Sequence, residues 1–119
     1  KVLILHGDYS QTLTYADQNT FFYFDPPYKP LTETSSFTAY TKSRFGDEEQ
    51  VRLKEFCTTL DTLNYQWILS NSDVKSKDPT NNFFDDLYAS FNIYRVNARR
   101  SISAKGSKRG TLTELLITN

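Results

Sequence analysis

Phe21-Phe22-Tyr23-Phe24-Asp25-Pro26-Pro27-Tyr28 is the stretch on which the reading of this 119-residue chain turns. Four aromatic residues in a row, soon followed by two prolines, fit a short buried strand. The strand must stop at Asp25, because neither Pro26 nor Pro27 can donate to a sheet ladder. The prolines also fix the backbone beyond the strand. Each keeps its carbonyl and lacks an N–H, so the segment is rich in acceptors and poor in donors. It suits a ligand that donates two hydrogens from one nitrogen, as an exocyclic amine does. Tyr28 adds a flat face on which a base can stack. Taken alone, the tetrapeptide reads about equally well as a plain turn, since Asp beside Pro is common in turns.

Working outward, residues 2–5 form an apolar run that reads as a strand ending at Gly7-Asp8, with a short helix or turn at residues 11–16. Residues 29–46 read as a long loop. A helix is predicted after Gly46, with Asp47 as cap and Gln50 completing a capping box. Its face is expected to carry Val51, Leu53, Phe56, Leu60 and Leu63. Residues 66–70 read as a strand that Asn71-Ser72-Asp73 breaks. A second helix is expected with Asp78 as cap and Pro79 in its first turn, its apolar side formed by Phe83, Phe84, Leu87, Tyr88 and Phe91. Residues 93–96 and 112–118 read as two closing strands around a basic loop. This alternation predicts one α/β domain over residues 1–119. The sheet is expected to be mainly parallel with right-handed crossovers, and mixed by an antiparallel last strand, the last two strands pairing antiparallel at the sheet's end. In such sheets ligands bind beyond the carboxyl ends of the strands, where Asp25 falls.

Composition bounds the function classes. Hydrophobic residues make up 38% and charged residues 24%, so a packed core is feasible and wholesale disorder is not expected. The 8 Tyr, 9 Phe and 1 Trp exceed what a small core requires, which leaves rings for stacking. Net charge is zero, but the stretch 97–110 carries Arg99, Arg100, Lys105, Lys108 and Arg109 with no acidic residue. It reads either as a patch that holds phosphates or as a solvated hairpin. One cysteine, Cys57, excludes an internal disulfide, fits a cytoplasmic location and reads as a small core residue. One histidine, His6, with one cysteine makes no usual zinc site, so no metal is expected. No apolar run approaches a membrane span and no signal peptide is read, so no membrane partner is expected. Lys1 is not an initiator methionine and Met is absent throughout, so the chain is expected to be an excerpt of something longer.

The ordered set Phe24-Asp25-Pro26-Pro27-Tyr28-Lys29-Pro30-Leu31, Phe37-Thr38-Ala39-Tyr40, Leu69-Ser70-Asn71-Ser72 and Arg99-Arg100-Ser101-Ile102-Ser103 resembles the Dam-type DNA adenine N6-methyltransferases. The resemblance covers roughly residues 20–118. It implies the carboxyl-terminal half of a Rossmann-like, S-adenosyl-L-methionine-dependent methyltransferase sheet. It implies double-stranded DNA, of GATC-like sequence, with the target adenine flipped out because its amine is unreachable while paired. Asp25 and the Pro26 carbonyl are then expected to accept the two amine hydrogens, with Pro27 holding the turn and Tyr28 stacked on the flipped ring. The nitrogen lone pair, drawn out of ring conjugation, can attack the methyl donor in line. Neither a metal nor a covalent enzyme intermediate is needed.

The same resemblance places Asp25 against the cofactor, S-adenosyl-L-methionine, and makes Asp8 a second cofactor contact. A polar turn residue is an equal reading of Asp8. Phe37 and Tyr40 are expected to border the target pocket, and Lys42 and Arg44 to contact DNA beside the extruded base. A lid packed on its own domain is the equal alternative for that loop. Two family features are missing. The four glycines form no Gly-x-Gly pair, so the cofactor loop is absent, and so is most of the target-recognition region. A complete cofactor site is therefore not expected, and an open apolar sheet edge is expected to make the isolated chain self-associate. Methylation of the cytosine exocyclic amine, and an inactive fragment giving only nucleic-acid or subunit contacts, are the competing functions.

Overall fold

The computed structural model describes residues 1–32, 45–98 and 112–119. Among these residues four strands form one open sheet in the order β1-β2-β4-β3: β1 is Phe21–Phe24, β2 Gln66–Ser72, β3 Asn92–Ala98 and β4 Leu112–Thr118. Two helices, α1 (Asp47–Thr62) and α2 (Phe83–Leu87), and 3-10 helices at Tyr9–Tyr15 and Val74–Ser76 complete a mixed α/β unit. β1 and β2 are parallel, while β4 is antiparallel to both β2 and β3. The mixed sheet and the antiparallel pairing of its last two strands at one end are as expected, but the sheet is not mainly parallel, because only β1 and β2 pair in that sense. β4 lies between β2 and β3, and β3 forms the edge.

The sheet packs one face onto a core. Side chains alternate along a strand, and the register aligns Phe22 with Trp67, Phe24 with Leu69, and Leu69 in turn with Ile117. These residues share a face with Leu115 and Ile93, against which α1 packs Leu53, Cys57 and Leu60 and α2 packs Phe84 and Tyr88. Burying each leucine contributes about 1.5–3 kcal/mol. The aromatic surplus goes largely here: Phe22 and Phe24 meet Phe56 edge-on at 6.3 and 6.0 Å between ring centroids, and Phe91 meets Trp67 edge-on at 4.9 Å. The opposite face is open at β1, where Phe21 and Tyr23 are 59% and 62% exposed. The strand read as buried is thus buried on one side only.

Several local expectations are corrected. Residues 2–5 belong to no strand; Val2 and Ile4 face solvent, because no ladder partner lies beside them among the described residues. The N-cap of α1 is Gly46, with no side-chain cap bond. Asp47 instead lies inside the first turn, where with Glu48 and Glu49 it complements the helix dipole, and Gln50 is buried rather than turned back to cap. Val51 and Leu63 are exposed, so the buried stripe is Leu53, Cys57 and Leu60. The helix ends in a Schellman motif: Tyr65 N–H donates to the Leu60 carbonyl at 2.9 Å and Asn64 N–H to the Asp61 carbonyl at 3.0 Å. Asn64 takes the left-handed φ of 66° that the motif requires. β2 runs on through Asn71 and Ser72, since β4 supplies their ladder partners Leu115 and Glu114. Asp78 closes a turn with Thr80, and α2 starts later, behind Asn82.

Candidate active site

The carboxyl ends of β1 and β2 lie side by side, and residues 25–29 cross over them. Asp25 is exposed at the end of β1. The Ser70 hydroxyl, from the neighbouring strand, reaches both the Asp25 carboxylate (3.2 Å) and the Phe24 carbonyl (3.4 Å). Serine fits this place because its one short arm reaches both the strand end and the carboxylate. Pro26 is half-buried and Pro27 exposed. The Pro27 carbonyl accepts from Gln50 Nε2 at 3.0 Å. Gln50 Oε1 accepts from Asn71 Nδ2 at 3.1 Å, and Asn71 Oδ1 accepts from the N–H groups of Lys29 (3.0 Å) and Ser72 (2.9 Å). The Ser72 hydroxyl donates to the Lys29 carbonyl.

Tyr28 lies between these anchors, half-buried, its hydroxyl donating to Glu114 Oε2 of β4 at 3.4 Å. Burial raises its phenol above the ordinary value, and the Glu114 and Asp25 carboxylates push the same way, against a Ser70 hydrogen bond. The ring therefore stays neutral across the physiological range and offers an uncharged stacking face. Lys29 places its ammonium on Asp47 and 4.5 Å from the Phe83 ring centre, tying the crossing segment to both helices.

Asp8 stands elsewhere. It caps the Tyr9–Tyr15 helix through the Ser10 N–H at 3.0 Å and pairs with Arg52 at 2.8 Å. These contacts, the Ser10 hydrogen bonds first, hold its carboxyl below the usual aspartate range. Arg52 also lies 4.9 Å from the Tyr9 ring centre. The described residues place no hydrogen bond or ion pair between Asp8 and residues 25–28. Phe37, Tyr40, Lys42, Arg44, Arg99, Arg100, Lys105, Lys108 and Arg109 lie outside the described residues.

Sequence reasoning missed Gln50 as a site residue. Its signal was a polar residue in line with the apolar stripe of α1, read instead as half of a capping box. Glu114 was missed as well, and only the cross-strand register brings it to Tyr28. Ser70 and Asn71 were quoted in the resemblance without a role; the structure puts the Ser70 hydroxyl on the Asp25 carboxylate and the Asn71 side chain on the Lys29 N–H beside Tyr28.

A family model for D12 class N6 adenine-specific DNA methyltransferases matches residues 1–102. The chain belongs to this D12 class. It is 48% identical over 119 residues to a type II methyltransferase of Methanocaldococcus jannaschii, with 99% of this chain and 39% of that relative covered. A type II methyltransferase of Lactococcus lactis subsp. cremoris is 41% identical over 118 residues, with 99% and 39% covered. The DNA adenine methylase of Escherichia coli strain K12 is 33% identical over 108 residues, with 91% and 36% covered. The chain thus spans about two fifths of the length of the curated relatives it matches. Among the described residues of this D12 chain, no helix is long and apolar enough to cross a membrane.

Proposed function

We propose that the protein carrying this chain moves a methyl group from S-adenosyl-L-methionine to the exocyclic amine of an adenine flipped out of double-stranded DNA, at GATC-like sites, in the cytoplasm. The observation that carries this reading is the acceptor ridge Asp25-Pro26-Pro27 at the carboxyl end of β1, with Tyr28 beside it. The two amine hydrogens meet the Asp25 carboxylate and the Pro26 carbonyl. Holding both draws the nitrogen lone pair out of the ring system and aims it. Tyr28 stacks on the extruded base and stands in for the neighbour it lost in the duplex. The methyl donor supplies an electrophilic carbon on a sulfonium; the protein supplies orientation and water exclusion.

The donor set fits such a cofactor in part. Asp25 is an exposed carboxylate at the strand end, suited to its polar groups. Asp8 fits only by giving up its pair with Arg52. With no Gly-x-Gly pair in the sequence, these residues form the carboxyl-terminal part of a Rossmann-like catalytic domain, with the cofactor loop supplied from outside them. The basic side chains of residues 99–109 hold DNA phosphates, and Phe37 and Tyr40 with Lys42 and Arg44 border the extruded base. The open face and edge of β1 drive self-association when the chain is isolated.

The test is transfer of label from S-adenosylmethionine to unmethylated DNA, followed by digestion and identification of the modified base, alongside Asp25→Ala. Label in N6-methyladenine that vanishes in the variant is expected. Label in cytosine overturns the base assignment, and label that survives Asp25→Ala overturns the role of the acidic group.

A further inference from the structure

Gln50 and Asn71 are 1% and 0% exposed, and their amides are joined. Their polarity is fixed from both ends. The Pro27 carbonyl can only accept, so Gln50 must aim Nε2 at it; Gln50 Oε1 then faces Asn71 Nδ2. That leaves Asn71 Oδ1 for the Lys29 and Ser72 N–H groups, which can only donate. Turning either amide over sets donor against donor or acceptor against acceptor in a buried place. The relay therefore grips the backbone on both sides of Tyr28: the carbonyl of the residue before it and the N–H of the residue after it. Its two members come from different elements, α1 and β2.

Packing does not call for this arrangement. Gln50 continues the stripe of Leu53, Cys57 and Leu60, a place that by its packing alone suits an apolar side chain; the amide answers the Pro27 carbonyl and the Asn71 amide, which an apolar side chain would leave unpaired. We propose that Gln50 and Asn71 are positioning residues for methyl transfer, an amide relay that sets the Pro27–Lys29 backbone and through it the Tyr28 face and the Asp25–Pro26 acceptors. This rests on the methyltransferase reading above. Neither side chain touches the base; both act through the turn that does.

The test compares unaltered protein with Gln50→Glu and Asn71→Ala, each checked for cooperative unfolding by Trp67 fluorescence. An ionised carboxyl at position 50 has no hydrogen for the Pro27 carbonyl, whereas a protonated one does. At neutral pH Gln50→Glu is expected to lose about 100-fold in kcat, the scale of an ångström misplacement, with KM for DNA held. Its kcat is expected to climb as pH falls, a limb the unaltered protein lacks. By NMR the Lys29 N–H exchanges slowly in unaltered protein and rapidly in folded Asn71→Ala. A flat pH profile with undiminished kcat in Gln50→Glu overturns the proposal, as does a Lys29 N–H that exchanges freely in unaltered protein. Absence of methyl transfer from the unaltered whole protein that carries this chain, with Lys29 still protected, overturns the methyltransferase reading and the positioning role with it, and leaves the relay as a structural fact.

Discussion

Asp73 offers the sharpest test of how the strands around the site are held. Its carboxylate is 4% exposed and serves three partners. Oδ1 accepts from the Lys75 N–H at 3.3 Å, capping the turn after β2. Oδ2 accepts from Arg95 Nε of β3 at 3.2 Å and from the Thr113 hydroxyl of β4 at 2.7 Å. Asp73→Ala removes the cap, worth about 1 kcal/mol, and strands the Thr113 hydroxyl, worth about another. Breaking a fully buried ion pair costs about 3–5 kcal/mol. Here Arg95 keeps Asp85 at 2.8 Å and its side chain is 35% exposed, so water solvates what is lost. That discounts the ionic part to about 1 kcal/mol and makes the whole effect about 3 kcal/mol. Asp73→Asn keeps the capping oxygen and loses the charge and the second acceptor, for about 2 kcal/mol. Urea unfolding followed by the fluorescence of Trp67 reads both, and a slope of about 1.5 kcal/mol/M puts the alanine midpoint about 2 M lower. A shift under about 0.5 kcal/mol for Asp73→Ala would show that the three contacts do not hold the strands, and equal losses in both variants would remove the cap from the account.

Two further outcomes are expected. Burial pushes the Cys57 thiol up to about 12 from 9.0. The folded value exceeds the unfolded one, so its contribution is complete below about pH 9 and is lost as pH rises toward 12, at up to about 1.4 kcal/mol per pH unit. Alkaline melts should flatten in Cys57→Ala, though not wholly, because burial raises the Tyr88 phenol too; a thiol reagent that labels Cys57 in the native protein as fast as in urea contradicts its burial. Light scattering should find the isolated chain associated, and Tyr23→Lys, which charges the open face of β1, should reduce the mass; a monomer at high concentration without the substitution sinks the association.

The elements that the sequence reveals are those whose signal is local. The aromatic strand before two prolines, the long amphipathic helix and the two strands around the basic stretch all stand where periodicity puts them. Misreadings arise where a distant partner decides. Residues 2–5 have strand composition, but composition makes no ladder without a neighbour. Asn71 and Ser72 look like a break because their side chains are polar, yet β4 pairs their backbone and residues 27–29 satisfy their side chains. Gln50 has capping-box spacing and is drawn inward by the Pro27 carbonyl, 23 positions away. The motif residues of the candidate site are legible because their chemistry is carried by adjacent residues; Gln50 and Glu114, which hold them, are visible only once the chain is folded.

β4, the latest strand in sequence, occupies the interior of the sheet. The sheet therefore cannot be laid down one strand after another from an edge as the chain is synthesised. Among the described residues β3 has no neighbour, and β2 keeps a bare flank, until residues 112–118 are present to slide between them. The Asn119 side chain then fastens the seam, accepting from the Trp67 N–H at 3.0 Å and donating to the Tyr65 carbonyl at 2.8 Å. A nascent chain from which residues 112–118 have still to emerge holds β2 and β3 with nothing to join them, the stage at which a chaperone or a second nascent chain competes most strongly for that gap.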